Sequence, residues 1–181
     1  MSPRPSPDLE RRRREVVEAA RALAEAEGWP AVTMRRLAAA LGVTQPVLYS
    51  AFAGRQAILD AVALAGFGDL AVALEAADAT PMARMRAYLD FAAGRPAVYE
   101  AMFSLPSGLA FAVDGNPEEL RAAFMGLADV LPDADGTRAE VAWSMLHGLA
   151  TLQAGGRLTD GQAQARVELA HRLLAQDPPA T

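Results

Sequence analysis

Between Thr33 and Phe52 the chain reads TMRRLAAALGVTQPVLYSAF. Small apolar residues there are interrupted by short hydrogen-bonding groups: Thr44, Gln45, Tyr49 and Ser50, with Pro46 among them and Thr33, Arg35 and Arg36 just upstream. None of these could act as a nucleophile with its base. Hydroxyls, a carboxamide and guanidinium groups in this density recognise a surface instead. Gln45 could bond an adenine edge bidentately and Pro46 could meet a thymine methyl. Thr33, Arg35, Arg36, Tyr49 and, at the end of the stretch, Arg55 suit phosphate oxygens.

Such groups need a scaffold that holds them against a groove. Leu37 and Ala38 face inward from one short helix, Leu41 closes it, Gly42 supplies a turn position open to positive φ, and Val43 fills the corner. Leu48 and Ala51 then anchor a second short helix on the first. Ala38 is small where two steeply crossing helices approach. This is the helix-turn-helix pattern, whose second helix enters the major groove of DNA by its N-terminal residues. Thr33 and Thr44 are the candidate N-caps, and the Thr44 hydroxyl is expected to serve as cap and phosphate contact together.

The stretch GWPAVTMRRLAAALGVTQPVLYSAFAGRQAIL resembles the N-terminal domain of the TetR family of transcriptional regulators over Arg14 to about Val62. Gly42, Val43, Thr44, Leu48, Tyr49, Phe52 and Arg55 fill the family's characteristic places. Ala51 stands where a histidine is common and Arg55 where a lysine is common; the first change removes a possible backbone contact and the second keeps the charge. The resemblance implies a DNA-binding head, a helical body that binds a small ligand, and a homodimer on a double-stranded operator.

The rest of the chain reads as helix, without a period-2 strand. Ser6 and Pro7 cap and open a first helix with the apolar stripe Val16, Ala20, Leu23 and Ala24, ending near Gly28 ahead of Pro30. A helix from about Arg55 to Ala77 follows. Further helices begin near Pro81, Pro96 and Pro117, and two longer ones span roughly Thr137–Ala154 and Asp160–Ala175. The expected fold is all-α: a helix-turn-helix DNA-binding domain over residues 1–54 and a helical ligand-binding and dimerisation domain over 55–181.

Charge permits this division. The 181 residues carry a net charge of -5, yet through Arg55 nine arginines face six acids, and beyond it eight face sixteen. A modestly basic head on an acidic body suits a local nucleic-acid contact. No cysteine is present, so disulfides and thiolate metal sites are excluded. The N-terminus lacks the apolar core of a signal peptide and no uninterrupted apolar run reaches membrane-spanning length. A cytoplasmic protein with no membrane partner is expected.

The helix from Thr137 is apolar on nearly all sides. Val141, Met145, Leu149 and Leu152 form one stripe, and Trp143, Leu146 and Ala150 another. Such a helix must be covered twice. In a TetR-like regulator this means the body's own core on one side and a partner subunit on the other, with Ala142 and Gly148 allowing close approach. The last helix adds Val167, Ala170 and Leu174, and together they could build an isologous four-helix bundle. Ala142, Met145, Gly148, Leu149, Leu152, Val167, Ala170 and Leu174 are the expected dimer interface. The Trp-Ser-Met-Leu-His-Gly spacing resembles the tryptophan-histidine-glycine motif of one C-terminal subclass of the family.

The middle of the chain supplies Met85, Tyr88, Phe91, Tyr99, Met102, Phe103, Phe111 and Met125, and with Trp143 and His147 they could line a pocket for a small apolar ligand. The same spacing also suits plain core, and the interrupted segment FSLPSGLAF could form an entrance. His147 has only His171 for company and no acid at ligand spacing, so no metal is expected; core histidine and ligand contact remain its two readings. With no cofactor motif or nucleophile–base pair, the expected function is a ligand-responsive repressor and not an enzyme. The alternative is an architectural DNA-binding or helical protein-interaction module that answers to no ligand.

Overall fold

The computed structural model describes residues 7–103, 116–133 and 135–175, and these are helical with no strand among them. In chain order come α1 (Pro7–Glu27), a 3₁₀ turn (Trp29–Ala31), α2 (Met34–Ala40), α3 (Gln45–Ala51), α4 (Arg55–Ala76), α5 (Pro81–Gly94), α6 (Pro96–Phe103), α7 (Glu118–Ala128), α8 (Thr137–Ala154), a second 3₁₀ turn (Asp160–Gln162) and α9 (Ala163–Leu174). The punctuation follows the sequence closely. Gly28 stops α1 with φ +80°, and Pro117 is the N-cap of α7 rather than its first residue. The last helix departs from expectation: its first turn, from Asp160, winds as 3₁₀ before α9 begins at Ala163. Ser6, the expected cap of α1, lies outside the described residues.

By contact the described chain forms two compact units, residues 7–66 with 95–103, and residues 67–94 with 116–133 and 135–175. The expected functional boundary after Gly54 does not coincide with this division, because α4 contributes to both units and α6 belongs to the first. In the first unit α1 buries Val16, Val17, Ala20 and Ala24. Its C-terminal turn holds the start of α6. The Glu25 carboxylate accepts from the backbone N–H groups of Ala97 (3.2 Å) and Val98 (3.1 Å), and the Trp29 indole N–H donates to the Ala97 carbonyl at 2.8 Å. A negative side chain on first-turn amides satisfies orphan donors and complements the helix dipole. Gly66 lets α4 press on α6: a Cβ there would stand 2.8 Å from both Val98 Cγ1 and Met102 Sδ.

In the second unit α5 packs on α8 and α9, and α7 on α5 and α8. Met85, Tyr88, Phe91, Leu127 and Leu146 are buried there. Arg84 is buried with them, and its Nη1 donates to the Gly126 carbonyl in the last turn of α7 at 2.7 Å. Gly126 is needed for the approach of Leu74, since an added Cβ would lie 2.9 Å from Leu74 Cδ1. The N-terminus of α8 is tied by acids just ahead of it: Asp133 accepts from the backbone N–H groups of Gly136 (2.8 Å) and Arg138 (2.6 Å), and Asp135 from that of Thr137 (3.1 Å). The Thr137 backbone N–H, and after it the Thr137 side chain, hold the Asp135 carboxyl below its ordinary pKa. α4 is long and apolar enough to cross a membrane by length and composition alone; it carries Asp60 and Asp69, and it buries Ile58, Leu59, Val62, Ala63, Phe67, Leu70 and Leu74.

Candidate nucleic-acid interface

The corner between α2 and α3 forms as the residue types require. Gly42 takes φ +64°, in the left-handed region that favours glycine. The Val43 N–H reaches the Ala38 carbonyl at 3.0 Å. Leu37, Ala38, Leu48 and Ala51 are buried, while Val43 is only half-buried. Behind them Phe52, the C-cap of α3, is buried too.

On this frame Gln45, Pro46, Tyr49 and Ser50 are all exposed, Tyr49 to 53%. Tyr49 is thus more open than covered. Ser50 spends its proton on the Val47 carbonyl at 2.7 Å, leaving its oxygen as an acceptor. Thr33 caps α2, its Oγ1 accepting from the Arg36 N–H at 3.2 Å. Thr44 departs from expectation. It is the N-cap of α3 by backbone, but its side chain makes no cap bond: Pro46 offers no N–H, and the Val47 N–H donates to the Thr44 carbonyl at 3.1 Å instead. Its exposed hydroxyl is thereby available to an outside group.

The three arginines expected as a phosphate clamp have different surroundings. Arg35 is exposed and pairs with no carboxylate among the described residues. Arg36 is engaged, its two terminal nitrogens on the two Glu27 oxygens at 2.7 and 2.5 Å. That hydrogen-bonded pair lowers the Glu27 pKa and raises that of Arg36. Arg55 faces its own domain: Nε donates to the Val32 carbonyl and Nη2 to the Trp29 carbonyl, each at 2.9 Å and part-buried. The guanidinium thus ties the start of α4 to the turn that leads into α2. Glu27 and the two carbonyls lie far from their arginines in sequence, and nothing in the spacing announces them.

The residues expected to line a pocket fall into two groups. Tyr99, Met102 and Phe103 lie in the first unit, with the Tyr99 and Phe103 rings 4.8 Å apart. Met85, Tyr88, Phe91, Met125, Trp143 and His147 lie in the second. There Trp143 meets Tyr88 edge-on at 5.9 Å and Phe124 at 5.9 Å. Met125 is exposed, which sets it apart from the buried Met85 and Tyr88. His147 is half-buried, and burial lowers its pKa. Phe111 and most of FSLPSGLAF lie outside the described residues.

On α8 and α9 the expected interface residues divide by burial. Ala142, Val167, Ala170 and Leu174 are covered by the chain's own core, whereas Met145, Gly148, Leu149 and Leu152 are open or half-open. Val141, Leu169 and Leu173 join the exposed set, and the two leucines were missed because α9 shows two apolar stripes. A groove of about 330 Å³ runs between the helices, lined by Met145, Gly148, Leu149, Leu152, Leu169 and Leu173 among others.

A bundle of helices with an outward-facing helix-turn-helix defines a DNA-binding regulator, and comparison with known proteins agrees. Residues 16–62 match the family model of the bacterial regulatory proteins of the tetR family, and residues 82–176 match the tetracyclin repressor-like C-terminal domain. The HTH-type transcriptional regulator Rv0681 of Mycobacterium tuberculosis is 30% identical, over 82% of this chain and 72% of that protein. A Rhodococcus sp. RHA1 protein of unknown function is similar in structure, with 27% identity and a TM-score of 0.67 over 97% of this chain and all of that one. A TetR transcriptional regulator from the same organism superimposes with a TM-score of 0.67 at 22% identity, covering 92% and 97% of the two chains.

The chain belongs to the TetR family of transcriptional regulators. It is a DNA-binding regulator and not an enzyme, and regulators of this family typically act as dimers.

Proposed function

We propose that this protein is a ligand-responsive repressor that binds a near-palindromic operator as a homodimer in the cytoplasm. Residues 1–54 read the DNA, and 55–181 bind the ligand and the partner subunit. The observation that carries the reading is the outward row Thr44, Gln45, Pro46, Tyr49 on a helix-turn-helix whose inner residues Leu37, Ala38, Leu48 and Ala51 are buried. Gln45 reads a base edge, Pro46 packs on a thymine methyl, and Tyr49, Arg35 and Thr44 take phosphates. Two such heads would occupy successive major grooves about 34–36 Å apart.

The apolar face of α8 and α9 supports dimerisation. Leu152, Leu169 and Leu173, each at least 42% exposed, line one groove, and Val141 is exposed on the same helix as Leu152; a second copy would cover them as an isologous bundle. Tyr88, Trp143, Phe124 and His147 supply one wall for a small, mainly apolar ligand, and the Trp143, His147, Gly148 spacing supports reading the body as one of the tryptophan-histidine-glycine subclass. Ligand would act by its differential affinity for two states of the protein.

Selection from a random duplex pool, with mass measured in solution, tests this. A two-fold consensus bound by a dimer is expected, with Gln45→Ala changing base preference and Leu173→Glu yielding monomer. A monomer that enriches no sequence would reduce the protein to a helical module without operator recognition.

A further inference from the structure

The arginines of the first unit differ in what already holds them. On α1, Arg11 bonds Glu15 at 2.7 Å and lies 3.6 Å from Asp8, Arg12 lies 3.3 Å from Glu15, and Arg21 lies 3.3 Å from Glu18. Arg36 and Arg55 are engaged as described. Arg14, like Arg35, is exposed and has no carboxylate partner among the described residues. Arg13 is exposed as well, and its guanidinium carbon stands 4.6 Å from the centroid of the Phe52 ring.

That contact locates the basic end of α1. Arg13 precedes Val16 and Val17 by three and four residues, so it continues the buried stripe one turn beyond the core. There it lies over Phe52, the C-cap of α3, three residues past the outward Tyr49. An aromatic face attracts a cation but carries no net charge, so the positive charge of Arg13 is positioned without being neutralised. A ring face accepts no conventional hydrogen bond from the guanidinium as a carboxylate does, so N–H donors remain for another acceptor.

We propose that Arg13 and Arg14 are a further DNA contact, made by α1 to backbone phosphates alongside the C-terminal edge of α3. The proposal rests on the DNA-reading role of α3 and extends its footprint. Duplex DNA presents one negative charge per roughly 1.7 Å of axis, so Arg13 at the flank of a docked recognition helix, with the exposed Arg14 next to it on α1, meets a dense row of acceptors. The contact reads no sequence; it fixes the angle at which α3 lies in the groove.

The test is fluorescence anisotropy on the full chain between about 50 and 200 mM salt, with the selected operator and with a random-sequence duplex. Arg13→Ala and Arg14→Ala are each expected to reduce the slope of log affinity on log salt by about 0.9 per bound head, roughly a 3.5-fold difference across that range. The reduction should be the same on both duplexes. Arg13→Lys should keep most of the slope, and Arg11→Ala, whose charge is held within α1, should keep all of it. The proposal is overturned if Arg13→Ala lowers thermal stability with the slope unchanged and Arg14→Ala matches wild type while Arg35→Ala still loses slope. That pattern would make Arg13 a cap on α3 and nothing more. If wild type itself shows no salt-dependent binding, the reading of α3 fails first, and this contact with it.

Discussion

Arg55 occupies the place of a familiar phosphate-binding residue, yet its guanidinium is turned inward onto two carbonyls. The consequence can be measured. In Arg55→Ala the Val32 carbonyl loses the donor described for it, whereas the Trp29 carbonyl retains the Val32 N–H at 3.1 Å. A hydrogen bond from a charged donor contributes about 1.5–3 kcal/mol, and partial burial argues for the low end. One bond lost outright and one partly replaced comes to about 2 kcal/mol. For a chain of this length that is a fall of roughly 4–8 °C in Tm. Arg55→Lys retains the charge but not the planar fork that reaches two acceptors, so it should recover less than half of the loss.

The readout can be confined to the first unit. The chain has two tryptophans, Trp29 and Trp143, so in a Trp143→Phe background the buried Trp29 alone reports unfolding in urea. DNA binding is then measured well below the transition, where the variant is folded. A latch predicts lower stability with a salt slope like that of wild type. If Arg55→Ala instead unfolds at the wild-type urea concentration and loses about 0.9 in salt slope, Arg55 releases the carbonyls to bind phosphate, and the reasoning from its contacts is wrong.

Two further predictions concern the same units. Glu25→Gln keeps an acceptor near Ala97 and Val98 but removes the negative charge from the first turn of α6; it should cost about 1 kcal/mol and speed hydrogen exchange at those two amides. Unchanged exchange would mean that Trp29 alone holds α6. For His147, burial lowers the folded-state pKa, so as pH falls below about 6.5 the unfolded chain takes up the proton first and stability declines. Wild type should therefore lose more stability than His147→Gln between about pH 7.5 and 5, and equal losses would place the imidazole in solvent.

Elements were legible wherever a residue constrains its own backbone. Gly28 and Gly42 adopt the positive φ their positions demand, Thr33 caps α2, and the breaks at Pro81, Pro96 and Thr137 fall where helices begin. Features that depend on a distant partner were not legible. α6 joins the unit of α1 through contacts about 70 positions apart in sequence, which no local pattern encodes. α8 has two apolar stripes of similar hydrophobicity, and only burial tells which one the chain covers. Ala142 and Leu146 turned out to face inward while Val141 and Leu152 stayed open.

The arginines make the same point for the site. Sequence supplies a cation at Arg13, Arg14, Arg35, Arg36 and Arg55 alike, and the helix-turn-helix pattern gives a phosphate contact to the last three. A guanidinium held by a carboxylate or by two carbonyls must first give up those bonds, so its net gain on meeting phosphate is reduced by what it leaves. A guanidinium on an aromatic face, or in water alone, has no such bond to surrender. By that comparison Arg14 and Arg35 should contribute more to DNA affinity than Arg36 and Arg55, although the helix-turn-helix pattern alone names Arg35, Arg36 and Arg55 alike and leaves Arg14 out. Alanine substitution at all four, read as salt slope on one operator, would decide between the ranking by motif and the ranking by partner.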